Sequence, residues 1–189
     1  GRRPERGEPA IIVVIGDEEL LVERAVGAAT AAARAADPQA DVRQLPGGEL
    51  ELGQFAELTS PSLFGEQRVL VVRDVEQVGK GVVDELLAAC RDAGDDVRIV
   101  LVHKGGTRGK AVVDAALGLG GRRIDCVKLT RPGERIEFVR EEFRALGRVI
   151  SDDGARALLD AVGNDLRELA AACAQLGTDT SGRVDAALV

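Results

Sequence analysis

The sequence has no tryptophan, no tyrosine and no methionine, and its only aromatic side chains are Phe55, Phe64, Phe138 and Phe143, 2% of 189 residues. A surface that stacks single-stranded bases needs several exposed rings, so that class of nucleic-acid binder is not expected. Without methionine there is no initiator, and the chain is expected to be trimmed or a fragment. Cysteine is scarce as well. Cys90, Cys126 and Cys173 are odd in number, far apart and set in apolar stretches, which suggests neither a disulfide framework nor a zinc cluster and fits a reducing cytosol. No apolar run approaches the ~20 residues of a membrane span, and residues 1–9 are polar rather than signal-like. A soluble, cytoplasmic protein with no membrane partner is expected. Positive charge is in deficit: 25 Lys and Arg stand against 32 Asp and Glu, a net charge of −7. That balance argues against a basic coat on nucleic acid, yet leaves room for a local patch.

What is present is apolar patterning of two kinds. Hydrophobic residues make up 45% of the chain, enough for a substantial core. Short β-rich runs at 11–15, 42–45, 69–72, 97–102 and 124–127 alternate with helical patterns at 18–34, 50–58, 82–93 and 110–117. Runs as uniformly apolar as Ile11-Ile12-Val13-Val14-Ile15 suit strands covered on both faces, hence a parallel sheet with crossover helices. The fold class is α/β, with a five-stranded parallel sheet. After Val127 the period changes to three and four: Ile136, Val139, Phe143 and Leu146, then Leu158, Leu159 and Val162, then Leu166, Leu169, Ala170, Cys173 and Leu176. Gly147, Gly163 and Gly177 are read as closing these helices, and Ser151 and Asn164 as N-caps of the second and third. The expected organisation is a tail over 1–9, an α/β domain over 10–130, a small helical lid over 131–180, and the start of a truncated region, with a further helix near 184–189, over 181–189.

A parallel sheet followed by a helical lid is the layout of AAA+ ATPases, so a phosphate cradle belongs after the first strand. That loop reads Gly16-Asp17-Glu18-Glu19-Leu20 in place of Gly-x4-Gly-Lys-Ser/Thr, and its three carboxylates would repel phosphate oxygens. A second loop, Gly105-Gly106-Thr107-Arg108-Gly109-Lys110-Ala111, resembles the cradle but has three residues between Gly105 and Gly109 and no hydroxyl at Ala111. It is read as a flexible basic loop whose Lys104, Arg108 and Lys110 could meet DNA or an acidic partner. The rival reading is a P-loop-like ATPase or kinase using that loop. Arg73 and Val75 break the acidic pair expected after the third strand. A single His103 with scattered serines offers no nucleophile and base pair. No catalytic residue, nucleotide site, metal or cofactor is expected.

The segment Thr59-Ser60-Pro61-Ser62-Leu63-Phe64-Gly65-Glu66-Gln67-Arg68 carries turn residues and should lie at the surface. Pro61 and Gly65 favour a sharp reversal from which Leu63 and Phe64 project together. They could plug a partner's pocket or tuck the loop onto the sheet. Together with Ile12-Val13-Val14-Ile15-Gly16-Asp17-Glu18-Glu19-Leu20-Leu21, His103-Lys104-Gly105-Gly106 and Gly163-Asn164-Asp165-Leu166-Arg167-Glu168-Leu169, this segment resembles the delta subunit of bacterial DNA polymerase III, over nearly all of the chain after the polar tail. The resemblance implies an AAA+-like clamp-loader subunit that has lost ATP hydrolysis and helps open the sliding clamp. It gives the clamp-binding role to Leu63 and Phe64 in the turn formed by Pro61 and Ser62, with ATP-hydrolysing loader subunits as partners and DNA reached through the loader. Arg167 resembles the lid arginine that senses nucleotide in active relatives, with nothing to sense here. Delta subunits continue into a helical collar domain, and this sequence is expected to stop before it. Assembly into the loader is therefore expected to be impaired and clamp binding to survive. A purely architectural loader subunit is the remaining alternative.

Overall fold

Strands that are apolar on both faces need a helical layer on each side, and that is where they lie in the computed structural model, which describes residues 9–179 and 183–189. The chain divides into two compact units, Gly1–Val127 and Lys128–Val189. In the first, β1 (Ile11–Ile15), β2 (Asp41–Pro46), β3 (Arg68–Arg73), β4 (Val97–His103) and β5 (Arg122–Asp125) form a parallel sheet in the order β2-β3-β4-β1-β5. Helices α1 (Glu19–Ala36), α2 (Gln54–Leu58), α3 (Lys80–Asp92) and α4 (Lys110–Gly118) connect them.

Alternation along each strand sorts the core into two halves. Ile12, Val14, Val69, Val71 and Val100 meet α1 through Val22, Val26, Ala29 and Ala33. Ile11, Val13, Val72, Ile99 and Leu101 meet α3 and α4 through Leu86, Cys90, Val112 and Ala116. Each such side chain removed from water contributes ~1.5–3 kcal/mol. The outer strands are more polar: Arg122, Arg123 and Asp125 on β5, and Arg43 and Gln44 on β2, are exposed, which discourages pairing with another chain at the sheet's edges.

The second unit holds α5 (Pro132–Ala145), β6 (Val149–Ile150), α6 (Asp152–Val162), α7 (Leu166–Asp179) and β7 (Arg183–Val184), with β6 and β7 paired in parallel. Its core is Phe138, Val139, Phe143, Ile150, Ala155, Leu158, Leu166, Leu169, Cys173 and Val184. Pro132 opens α5, and the Glu134 carboxylate reaches back to the Arg131 amide at 3.0 Å. The Ser151 hydroxyl caps α6 by accepting from the Gly154 amide at 3.0 Å.

Several elements differ from the sequence reading. The second helix shortens to Gln54–Leu58 because Gly53 is left-handed at φ 84° and its amide is held by both oxygens of Glu85, at 3.0 and 2.8 Å. The fifth strand is displaced to Arg122–Asp125, since the Cys126 carbonyl turns away to accept from the Glu18 amide at 2.9 Å. The α7 cap is Asp165, whose carboxylate accepts from the Glu168 amide at 2.8 Å, not Asn164. Gly177 does not end α7: it is buried inside the helix, where a Cβ would meet Leu146 Cδ1 at 2.5 Å. No helix forms over 184–189, where a short strand and a turn stand instead.

Candidate functional site

The loop from Thr59 to Gln67 joins α2 to the start of β3, so it lies at the amino-terminal edge of the parallel sheet. Leu63 is 97% exposed and Phe64 86%. The turn beneath them is built by Ser62, whose hydroxyl accepts from the Phe64 amide and whose carbonyl accepts from the Gly65 amide, both at 3.2 Å. Gly65 sits at φ 70°, a conformation that a residue bearing a Cβ resists. Pro61 is exposed and Ser62 half-buried. The segment thus brings together the four residues singled out by sequence, with both apolar side chains turned to solvent rather than onto the sheet.

Braces hold this loop at each end. On the α2 side, the hydroxyls of Thr59 and Ser60 donate to the Phe55 and Ala56 carbonyls at 2.6 and 2.7 Å. Arg68 adds its guanidinium, donating to the carbonyls of Leu58 and Ser60 while its Nε lies 3.6 Å from Asp41 Oδ2. On the β3 side, the Gln67 amide donates to Asp37 Oδ2 at 2.8 Å, and the Gln39 amide to Asp37 Oδ1 at 2.9 Å. These two amides, Gln67 first, favour the ionised carboxylate and lower the Asp37 pKa. Arg68 and Asp37, which brace the loop, are not among the residues that the sequence pattern singles out. Arg68 stood at the end of the motif and could have been suspected, because the last carbonyls of a helix need donors. Asp37 lies 30 residues from Gln67, and no local pattern signals that contact.

At the opposite, carboxyl-terminal edge, the position of a phosphate cradle is closed by backbone bonds. The Gly16 amide donates to the His103 carbonyl, and the Glu18 amide to the Cys126 carbonyl, each at 2.9 Å. Two donors that an anion cradle would turn outward are therefore engaged inside the protein. A Cβ at Gly16 would sit 2.0 Å from the Cys126 carbonyl oxygen, so the loop after β1 is pressed against the end of β5. A depression of about 430 Å³ remains there, lined by Asp17, Glu19, Glu23 and Asp74 together with Arg73 and Lys104. Arg73 donates to Gln44 at 3.1 Å. Lys104 pairs with Asp74 at 3.1 Å, a hydrogen bond that raises the lysine pKa. Four carboxylates against two engaged cations make a poor receptor for a triphosphate. Val75, where an ATPase would carry its catalytic acid, is buried in the core.

The 105–110 loop is stapled by His103, which is buried. The Gly105 amide donates to His103 Nδ1 at 2.9 Å, so Nε2 carries the ring proton and donates to the Arg108 carbonyl at 2.6 Å. Lys110 pairs with Asp114 at 2.6 Å. Of the three basic residues considered for DNA or partner contact, Lys104 and Lys110 are thus ion-paired, and Arg108 is exposed. Arg167 is exposed on the first turn of α7. Among the described residues no group of His, Cys, Asp or Glu could hold a metal ion, and no helix is long and apolar enough to cross a membrane.

No family model matches the chain, and no curated protein is similar to it in sequence. Solved structures do match. The Bacillus subtilis DNA clamp loader delta protein (YqeN) superimposes with a TM-score of 0.75 at 16% identity, covering 95% of this chain and 57% of that one. Two point mutants of Thermotoga maritima RuvB superimpose with TM-scores of 0.50 and 0.51 at 18% and 17% identity, covering 97% of this chain and 61% of theirs. The chain therefore spans less than two thirds of the length of these structures, and the likeness is one of fold: an AAA+-like parallel α/β sheet with flanking helices.

Proposed function

We propose that the chain is a clamp-loader subunit without ATP hydrolysis of its own, which binds a sliding clamp through Leu63 and Phe64 and helps open the ring for loading onto DNA. The observation that carries this reading is an adjacent Leu–Phe pair standing almost fully in solvent on a loop braced at both ends. Two apolar side chains held rigidly outward form a compact plug. Buried in a partner's pocket, each contributes ~1.5–3 kcal/mol, the size of an interface hot spot. The fold shared with a clamp-loader delta protein supports the choice of partner, and the blocked, acidic phosphate position supports a non-catalytic part. The partners are then the clamp and the ATP-hydrolysing subunits of a DNA polymerase III loader, in the cytoplasm, with DNA reached through the assembled loader.

Ring opening needs no chemistry in this subunit. A ligand shifts a closed–open equilibrium only by its differential affinity for the two states, so a plug seated beside a clamp junction favours the open ring when its surroundings fit that geometry better. The test is calorimetry of the chain against its cognate clamp. Leu63→Ala/Phe64→Ala is expected to raise Kd at least a hundredfold, from a loss of ~3–6 kcal/mol, with an unchanged urea midpoint. An unaltered Kd, or no binding by the parent chain, rejects the assignment.

A further inference from the structure

The amino-terminal edge of the sheet carries a second feature beside the plug. A groove of about 460 Å³ runs between α2 and α3, with Phe55, Ala88 and Val97 in its apolar floor and Glu85, Asp92 and Asp96 on its rim. Thr59 and Pro61 line it as well, so it is continuous with the loop that bears Leu63 and Phe64. Among the described residues no Lys, Arg or His lines it.

Among the described residues no salt bridge engages the three rim carboxylates, and only Glu85 has a hydrogen-bond partner that accounts for it. Glu85 is turned to the Gly53 amide. Asp92 and Asp96 form no salt bridge among the described residues, although Asp92 is exposed and Asp96 half-buried. Asp92 is also the last residue of α3, where a carboxylate faces the negative end of the helix dipole and opposes it. A local choice that works against its own helix points to a use outside the fold.

An apolar floor with two carboxylates, Asp92 and Asp96, on its rim suits a long methylene stem ending in a cation, as in lysine or arginine, whose stem lies on the floor while the head reaches the rim. We infer that this groove receives a lysine or arginine of the same clamp surface that takes the Leu63–Phe64 plug, an assignment that rests on the clamp-binding reading above. The plug supplies burial; the groove supplies a charge contact that fixes the orientation of the partner around it. An orienting contact of this kind is what a subunit needs if it is to favour one ring geometry over another.

The experiment is calorimetry of the 189-residue chain with its cognate clamp at about 0.05 M and about 0.3 M salt, a span over which exposed charges become strongly screened. Asp92→Lys is expected to weaken binding about tenfold at the lower salt and to remove most of the salt dependence, whereas Asp92→Glu keeps both. Its urea midpoint should hold or rise, because a cation suits a helix C-terminus, so unfolding cannot account for the loss. If Asp92→Lys binds like the parent with the same salt dependence while Leu63→Ala/Phe64→Ala binds weakly, the groove inference is overturned and the plug reading stands. If the parent chain does not bind the clamp at either salt, the plug reading falls and takes this inference with it.

Discussion

Arg68→Met separates the plug's chemistry from its rigidity, because it leaves Leu63 and Phe64 in place and removes one brace. Methionine keeps most of the apolar stem while deleting the guanidinium. Two charge-assisted hydrogen bonds are lost, to the carbonyls of Leu58 and Ser60. Such bonds carry ~1.5–3 kcal/mol each. Ser60 is exposed and can turn to water, so the full value applies to Leu58 alone. The ion pair to Asp41, 3.6 Å long with the carboxylate side chain 35% exposed, adds at most ~1 kcal/mol. The expected loss of stability is about 2–4 kcal/mol, read as a lower urea midpoint. Binding should suffer separately. Re-fixing the four residues between α2 and Leu63 would cost ~1–2 kcal/mol each if all were freed. Because Thr59 and Ser60 keep their bonds to the Phe55 and Ala56 carbonyls, a net penalty of about 2 kcal/mol is expected, roughly thirtyfold in Kd. Calorimetry with the clamp measures the second effect, and hydrogen exchange of the amides over 59–65 should show the loop opening. An unchanged Kd in a variant whose loop amides exchange faster would refute the idea that rigidity contributes to binding.

Gly16→Ala should destabilise the protein by at least ~3 kcal/mol in a urea melt, since its Cβ would overlap the Cys126 carbonyl at a backbone φ of 147°. The control is Gly118→Ala at the end of α4, where a Cβ meets nothing within 4 Å; it is expected to be neutral or stabilising by ~0.4–1 kcal/mol. Asp37 has a folded pKa held below its unfolded value, chiefly by the Gln67 amide. Its tether to the loop is therefore complete above the unfolded value of ~3.9 and is lost as pH falls through the folded one. Limited proteolysis within 59–67 should accelerate only in that acid range, and Asp37→Asn should already be cleaved faster at neutral pH. Equal cleavage of the two proteins at pH 7 would remove Asp37 from the set of braces.

The sheet was legible because its strands are apolar on both faces, and little besides a covered parallel strand accepts Ile11-Ile12-Val13-Val14-Ile15. Errors fell where a remote contact decided the local structure. Gly53 delays the start of the second helix to Gln54 because Glu85, 32 residues away, captures its amide. Gly177 has the position of a stop signal in the sequence, yet it is buried inside α7 against Leu146. The β6–β7 pair consists of two-residue strands, too short for any periodicity to register. In the site, the exposed turn could be read from Pro61, Ser62 and Gly65, which act on the backbone within their own turn. Its attachment to Asp37 could not be read, because a single hydrogen bond across 30 residues makes it and no repeat marks it.

The two ends of the sheet differ in what they present to solvent. Parallel α/β sheets place their ligands at the carboxyl edge, and here that edge is filled by inward-turned amides and carboxylates. The candidate plug stands at the other end of β3, a six-residue strand spanning roughly 20 Å, so a change at one edge need not disturb the other. An exposed leucine beside an exposed phenylalanine does not by itself imply function, because isolated apolar side chains are common on surfaces. The bracing adds the missing argument. A segment that merely connected α2 to β3 could be mobile, yet this one is held by Arg68 on one side and Asp37 on the other. Holding a turn still while its apolar tips face water gains the folded protein no burial, but it lowers the entropy lost when those tips enter a pocket.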